Sequence, residues 1–105
     1  MKQVNQRDAE HYIETRQEFK ASALMGTFAH IGAGRLEGKE LATYQADSVG
    51  IDYIVYSYGT PIAWHTLSFG WYIVEQKFSV TTSKHQNAVR RATASTRRAE
   101  MVGVN

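Results

Sequence analysis

The sequence contains no cysteine, and this absence excludes several classes of protein. Without thiols, the chain has no disulfide framework, no catalytic thiolate and no cysteine-ligated zinc ribbon. Long apolar runs are also missing, since no stretch approaches the roughly 20 residues that a membrane-spanning helix requires. The first residues carry no apolar segment typical of a secretory signal. We therefore expect a protein of the cytoplasm, with no membrane partner.

Proline is nearly absent too, with Pro61 as the one example, and low-complexity tracts do not occur. Charged residues make up 21% of the chain, and six Tyr, four Phe and two Trp contribute to a hydrophobic content of 43%. This composition differs from that of a disordered chain and is sufficient for a packed interior. A chain of 105 residues has room for one core. We predict a single globular domain over residues 1–105, with loose tails at 1–7 and 100–105.

The net charge of +2 hides an uneven distribution. From Lys77 onward the chain has six basic residues and one acidic residue, which gives +5. Before Lys77 there are six basic and nine acidic residues, which gives −3. The sequence therefore predicts a dipolar protein with a basic C-terminal end.

The order of sequence patterns predicts an α+β domain. It consists of an N-terminal helix, an antiparallel meander of three to four strands, and a C-terminal amphipathic basic helix packed on the sheet. We expect the first helix to begin at Asp8, a residue type that caps helices, and to end near Met25. A connection punctuated by glycines follows at 26–40. An acidic ladder with a spacing of four residues lies on one face of the first helix: Glu10, Glu14 and Glu18.

Four segments carry strand patterns, namely residues 41–46, 51–58, 61–67 and 71–78. The first is weak, whereas 51–58 is the strongest because it is rich in β-branched and aromatic residues. Pro61 is expected to open its strand, since the first residue of a strand tolerates proline. Short connections between the segments indicate antiparallel pairing.

The last helix is expected to begin with a capping box at Ser83–Gln86, or at Thr81 or Thr82, and to end near Ala99. With a rotation of about 100° per residue, one arc of this helix carries small, apolar and weakly polar residues that face the core: His85, Ala88, Val89, Ala92, Thr96 and Ala99. The opposite side carries every basic residue of the helix: Lys84, Arg90, Arg91, Arg97 and Arg98. The helix therefore presents a basic face to the solvent.

Two interpretations of this basic face remain open. Arginine forks match phosphate geometry, so the face suits contact with nucleic acid. Alternatively, the face is simply solvated or pairs with the acidic ladder of the first helix. A net charge near zero counts against a dedicated nucleic-acid-binding protein.

A second candidate site lies at the start of the same helix, where free backbone N–H groups favour an anion. The residues that suit it are Thr81, Thr82, Ser83, His85 and Gln86. Capping and support of the core explain the same residue types without a ligand. We favour this simpler interpretation.

Motifs for catalysis and for metal binding are missing. A nucleophilic pair requires Thr82 or Ser83 beside His65 or His85, together with an orienting carboxylate, and nothing in the sequence places them together. The glycines at 32–38 have no βαβ unit around them, so they indicate turns. The four histidines are too dispersed for a metal-ligand spacing. We expect no enzyme activity, no cofactor and no metal.

Trp64 and Trp71 lie on the two arms of a predicted hairpin. Exposed, they suit base stacking or the anchoring of a partner. Buried, they supply the aromatic mass that a small core needs, and this second role is the more frequent one.

Two segments of the chain resemble a known family. Residues 57–64 read SYGTPIAW and residues 78–86 read FSVTTSKHQ. They resemble a family of small domains of unknown function, carried mostly by actinobacterial phages, with the segments SYGTPIAW and (Y/F)SxTTSxHQ. The likeness covers roughly residues 53–92, with Phe78 where Tyr is common. The resemblance implies a phage or mobile-element origin and a setting in the bacterial host's cytoplasm, and it implies no activity or ligand.

We therefore carry two hypotheses of function. The first is a non-enzymatic, phage-type accessory module that contacts nucleic acid through the basic face of the last helix. The second is a protein–protein effector, as a homodimer or as a monomer, that binds and modulates a host or phage protein; it rests on analogy with other small phage proteins. Whether the arginines of the basic face are free in the fold discriminates between the two.

Overall fold

A five-stranded antiparallel sheet forms the centre of the protein. The structure is a computed structural model that describes residues 1–94. The strands lie side by side in chain order, each antiparallel to the next. This arrangement confirms the α+β class and the meander, with five strands where the sequence predicted three to four. The elements are α1 (Gln6–Glu14), β1 (Phe19–Ala21), β2 (Leu24–Thr27), α2 (Gly38–Asp47), a 3-10 turn (Ser48–Gly50), β3 (Ile51–Ser57), β4 (Thr60–Thr66), β5 (Gly70–Ile73) and α3 (Val80–Ala92).

The sheet buries both of its faces. On one face, Ile13 of α1 and Val89 of α3 pack with Tyr53 and Trp71 of the sheet. The other face packs against α2, whose Tyr44 ring lies 5.2 Å from the Trp64 ring between centroids. Because helices cover both sides, β3 and β4 are nearly continuous runs of buried residues.

The first helix differs from its prediction at both ends. Its N-cap is Asn5, whose side-chain oxygen accepts a hydrogen bond of 2.8 Å from the Asp8 N–H, so Asp8 as N-cap is wrong. The helix ends at Glu14, and the hairpin of β1 and β2 replaces the predicted second half. Phe19-Lys20-Ala21 alternates buried, exposed and buried. This pattern suits a strand, and pairing with the rest of the sheet outweighs the helical spacing of Tyr12 and Phe19.

The shorter helix breaks the predicted acidic ladder. Glu18 lies beyond α1, where its carboxylate accepts hydrogen bonds from the Thr27 hydroxyl at 2.7 Å and from the Phe28 N–H at 3.2 Å. These two bonds lower the pKa of Glu18. The glutamate therefore fastens the end of β2, and the three-residue ladder is wrong.

The predicted strand at 41–46 is also wrong, because these residues form most of α2. Glu40 in the first turn is buried, where it accepts hydrogen bonds from the Tyr72 hydroxyl and, at 2.7 Å, from the Glu75 N–H. Burial and this bond raise the pKa of Tyr72 to about 12. Long-range contacts of this kind dock α2 on the sheet, and no local pattern signals them.

The start of α3 lies earlier than predicted. Ser79 is the N-cap, and its hydroxyl accepts a hydrogen bond of 3.1 Å from the Thr82 N–H. The capping box at Ser83–Gln86 is therefore wrong, and so are Thr81 and Thr82 as caps. The helix ends at Ala92 and not near Ala99. The remaining predicted positions, Thr96, Arg97, Arg98, Ala99 and the tail at 100–105, lie outside the described residues.

The segment before α1, which the sequence placed in a loose tail, lies along β1. The Val4 N–H donates to the Lys20 carbonyl at 2.9 Å, and the Lys20 N–H donates to the Lys2 carbonyl at 2.7 Å. In the described part of the chain, no helix has both the length and the apolar character to cross a membrane.

A glycine in β2 provides a test of this packing. A Cβ at Gly26 would lie 2.5 Å from Phe19 Cε1 and would collide with the Tyr53 hydroxyl, which donates to the Gln17 carbonyl. We expect Gly26→Ala to lower the free energy of unfolding by about 3 kcal/mol, as overpacking of a tight core does. Urea denaturation measures the change.

Gly50→Ala is the matched control. Its Cβ would have Thr66 Cγ2 as its nearest neighbour, at 4.0 Å, so we expect a change within about 0.5 kcal/mol. Equal stabilities of the two variants would contradict the packing around β2.

Candidate functional site

The turn between β3 and β4 has an unusual residue at its tip. Ser57 and Thr60 pair across the hairpin, which leaves a two-residue turn. Tyr58 has a φ of 51° and Gly59 a φ of 78°, and a turn with two positive φ values is the type I′ turn that suits hairpins. The Tyr58 N–H donates to the Ala23 carbonyl at 3.0 Å. The β3–β4 turn is thereby tied to the β1–β2 turn.

A chain of hydrogen bonds joins this turn to α3. The Ser57 hydroxyl lies 2.7 Å from His85 Nδ1 and 3.0 Å from the Thr82 hydroxyl. The Ser79 hydroxyl in turn donates to the Thr82 hydroxyl at 3.2 Å. Ser57, Thr82 and His85 are buried, and burial lowers the pKa of His85. The imidazole is therefore neutral near pH 7 and serves to fix the helix on the turn.

Gln86 makes a second polar contact, between α3 and the segment that follows β5. Its side-chain amide donates to the Val74 carbonyl at 2.9 Å and to the Gln76 carbonyl at 3.1 Å. Among the five candidates for anion binding or capping, Thr82, His85 and Gln86 thus bond to the protein itself. Thr81 is exposed and Ser83 is half-buried.

Two pockets lie on either side of Tyr58, which is 62% exposed. The first has a volume of about 350 Å³ and the second about 400 Å³. Tyr58 and Thr81 line both pockets, so they form the ridge between them. The first pocket is also lined by Arg35, Ser57, Thr60, Phe78, Ser79 and Thr82. The second is lined by residues of α1 and α3, among them Gln6, Glu10, Lys84, His85, Ala88 and Arg91.

Cations surround this ridge. Arg35 places its guanidinium carbon 6.0 Å from the centroid of the Phe78 ring. Arg91 forms an ion pair of 2.8 Å with Glu10, which raises the pKa of Arg91, and Arg90 donates to the Asn87 side chain at 2.9 Å. Within residues 1–94, neither Arg35 nor Lys84 forms an ion pair. One arginine of the basic face is therefore neutralised, and Arg97 and Arg98 lie outside the described residues.

The residues needed for a catalytic triad do not come together. His65 pairs with Asp52 at 2.8 Å, at the end of the β3–β4 hairpin away from its turn. His85 bonds to Ser57, and no carboxylate joins it among the described contacts. In the part of the chain that the structure describes, no group of three or more His, Asp or Glu could hold a metal ion.

The tryptophans belong to the core. Trp64 and Trp71 are almost completely buried, on opposite faces of the sheet. The Trp64 indole N–H donates to the Asp47 carboxylate at 2.9 Å. Neither ring can stack on a base, and the interpretation of these residues as core is confirmed.

Three residues of the site were missed by reasoning from the sequence: Arg35, Ser57 and Tyr58. Ser57 and Tyr58 stand at the start of the SYGTPIAW segment, and the structure places this start against Thr82 and His85 of the FSVTTSKHQ segment. The signal in the sequence was therefore the co-occurrence of the two segments. Arg35 carried no signal, because it reaches the site through the fold of a loop.

The fold and the site define an α+β domain in which two short segments, distant in sequence, meet at one surface. The chain belongs to DUF8033, a family of unknown function whose family model matches residues 8–103. No curated protein and no solved structure matches the chain.

The neutral state of His85 makes the stability of the fold depend on pH. Because the pKa of His85 is lowered in the fold, the unfolded chain takes up a proton more readily than the folded one. The contribution of His85 is then complete above the unfolded pKa of about 6.5 and is lost as the pH falls through the lower folded value. We expect the melting temperature to decrease on acidification over this range, as thermal unfolding at a series of pH values measures.

His85→Asn should make this dependence on pH shallower, whereas His11→Asn, a change at an exposed histidine of α1, should preserve it. A wild-type slope in the His85 variant would contradict the assignment.

Proposed function

We propose that this protein is a non-enzymatic, phage-type accessory module of the bacterial host's cytoplasm that contacts nucleic acid through the basic face of α3. The observation that carries the proposal is the separation of side chains around this helix. Thr82, His85 and Val89 occupy its buried side. Lys84 and Arg91 are exposed and Arg90 is half-buried. The phage setting rests on the resemblance of the two segments.

The position of the cations suits a phosphate backbone. Lys84 and Arg91 line one pocket beside Tyr58, and Arg35 lines the other. The cations thus extend across a surface wider than one helix. Arginine and lysine contacts to successive phosphates release counterions, and this release supplies most of the affinity at low salt.

Among the described residues that line these two pockets, Glu10 is the one acid. Its ion pair with Arg91 is accessible to solvent, with 62% of the Arg91 side chain exposed. Exposed ion pairs contribute little to stability, so a phosphate can compete for the guanidinium. The carboxylate also repels phosphates, so we expect it to limit the affinity.

Titration of labelled oligonucleotides across a salt series tests the proposal. We expect Lys84→Ala/Arg90→Ala/Arg91→Ala to weaken binding and to reduce the salt slope by about one unit for each removed cation that binds a phosphate in the wild type. Glu10→Gln should have the opposite effect and tighten binding, because it removes a repulsive charge and releases Arg91.

Lys39→Ala is the matched control, because Lys39 is an exposed cation of α2 on the other face of the sheet. The nucleic-acid affinity of Lys39→Ala should stay close to that of the wild type, whereas the affinity of the single variant Lys84→Ala should be lower. Absence of binding at low salt, or a triple variant that binds like the wild type, would refute the proposal.

The alternative is a protein–protein effector that binds a host or phage protein, or a second copy of this chain. One observation favours it: three exposed apolar side chains lie at the end of the sheet opposite Tyr58, namely Val49, Leu67 and Phe69. Ile51 pairs with Thr66 there, which brings the 3-10 turn and the β4–β5 turn together. Leu67→Ser/Phe69→Ser should abolish such an interaction, seen by sedimentation, and should leave nucleic-acid binding unchanged.

A further inference from the structure

The identity of Tyr58 is not explained by the turn that it occupies. Both residues of a type I′ turn have positive φ, and Asn or Gly at the first position adopts it with the least strain. Tyrosine, with its bulky side chain, is strained at a φ of 51°. A tyrosine at this position therefore makes the fold less stable than the sequence Asn-Gly would make it.

Burial of the ring and hydrogen bonds of the side chain offset little of this cost. Tyr58 is 62% exposed, so its ring gains little from burial. Its backbone N–H bonds to Ala23, but any residue other than proline would donate the same bond. Within residues 1–94, the Tyr58 hydroxyl forms no hydrogen bond. Strained and exposed residues of this kind occur at sites of function.

The Tyr58 ring is nevertheless oriented by a neighbour within the fold. It stacks on the His85 imidazole, with ring centroids 6.3 Å apart and an interplanar angle of 27°. The imidazole is itself fixed by the hydrogen bond of 2.7 Å to Ser57. Tyr58 is therefore an aromatic platform that is oriented in the absence of a ligand, with most of its surface in solvent.

The residues around the Tyr58 ring suit one ligand chemistry. A pocket lies on each side of Tyr58, with Arg35 at one end and Lys84 and Arg91 at the other. An aromatic platform flanked by cations is the arrangement that binds single-stranded nucleic acid, because a base stacks on the ring while the cations contact the backbone. Bases within a duplex are already stacked and paired, so they cannot reach such a ring without melting.

We infer that Tyr58 stacks on an unpaired base, so that the ligand of this surface is single-stranded nucleic acid and not duplex. The inference rests on the proposed function and makes it more specific. Lys84, Arg91 and Arg35 hold the strand by its phosphates, and Tyr58 recognises it as unpaired.

Three ligands of equal length and charge per strand test the inference: a single-stranded oligonucleotide, the same sequence as a duplex, and an abasic single strand. We expect the wild type to bind the single strand at least about tenfold more tightly than either of the others, since only it offers a base for stacking. Tyr58→Asn should reduce the affinity for the single strand by about tenfold to a hundredfold, the range that stacking of one base accounts for. It should leave the salt slope unchanged, since every cation still reaches its phosphate.

Tyr58→Asn also controls for folding, because Asn suits the turn. Its melting temperature should equal or exceed that of the wild type, so a lower affinity cannot be attributed to unfolding. Tyr58→Phe keeps the ring and should keep the affinity. On the abasic strand, the Asn variant and the wild type should bind alike.

Other results would overturn the inference in distinguishable ways. If single strand and duplex bind equally, or if Tyr58→Asn binds like the wild type while Lys84→Ala does not, the inference fails and the proposed function stands. If neither form of nucleic acid binds at low salt, both fail.

Discussion

The hydrogen bond between the Ser57 hydroxyl and His85 Nδ1 is the contact on which the candidate surface depends. It joins a strand to a helix that is 28 residues away in sequence, in a buried position where an unsatisfied polar group is costly. Through Thr82, the same serine is linked to the cap of α3. The direction of the helix, the place of the turn and the orientation of the Tyr58 ring are consequently coupled. A substitution of Ser57, Thr82 or His85 would therefore move the surface as a whole.

Coverage of the sheet on both faces determines where this protein can present functional groups. The central strands β3 and β4 are buried on both sides, so their side chains are committed to packing. Apart from the half-buried Asp52, it is the turns at the ends of these two strands that reach solvent. The turn with Tyr58 lies at one end, beside the cations of α3, and the apolar residues Leu67 and Phe69 lie at the other. The architecture thereby separates a polar, basic surface from an apolar one.

An acidic residue reduces the positive charge of the surface beside α3. Glu10 of α1 reaches Arg91 of α3, so the packing of these two helices places one acid among the cations. The ion pair is accessible to solvent, and it holds the guanidinium at the edge of the second pocket. Such an arrangement suits a surface that exchanges an internal carboxylate for an external anion, with strong dependence on salt.

How much the sequence determined differs from element to element. Richness in β-branched and aromatic residues was sufficient for β3 and β4, and the separation of basic and small residues was sufficient for the amphipathic α3, because these are local patterns. The spacing of Tyr12 and Phe19 fitted a helix, and the pairing of β1 with β2 nevertheless placed Phe19 in a strand. Residues 41–46 became helical because Glu40 and Tyr44 find partners on the second face of the sheet.

The candidate site likewise has a part that the sequence identified and a part that only the tertiary structure revealed. The sequence alone identified Lys84, Arg90 and Arg91 as solvent-facing cations, since helical periodicity places them on that side of α3. Tertiary structure decided that Ser57 meets His85, that Glu10 pairs with Arg91, and that Tyr58 stands between two pockets. Hydrogen bonds and stacking between residues far apart in the chain leave no periodic trace in it. They exist only once the sheet has brought the turn and the helix together, with 2.7 Å between the Ser57 hydroxyl and His85 Nδ1.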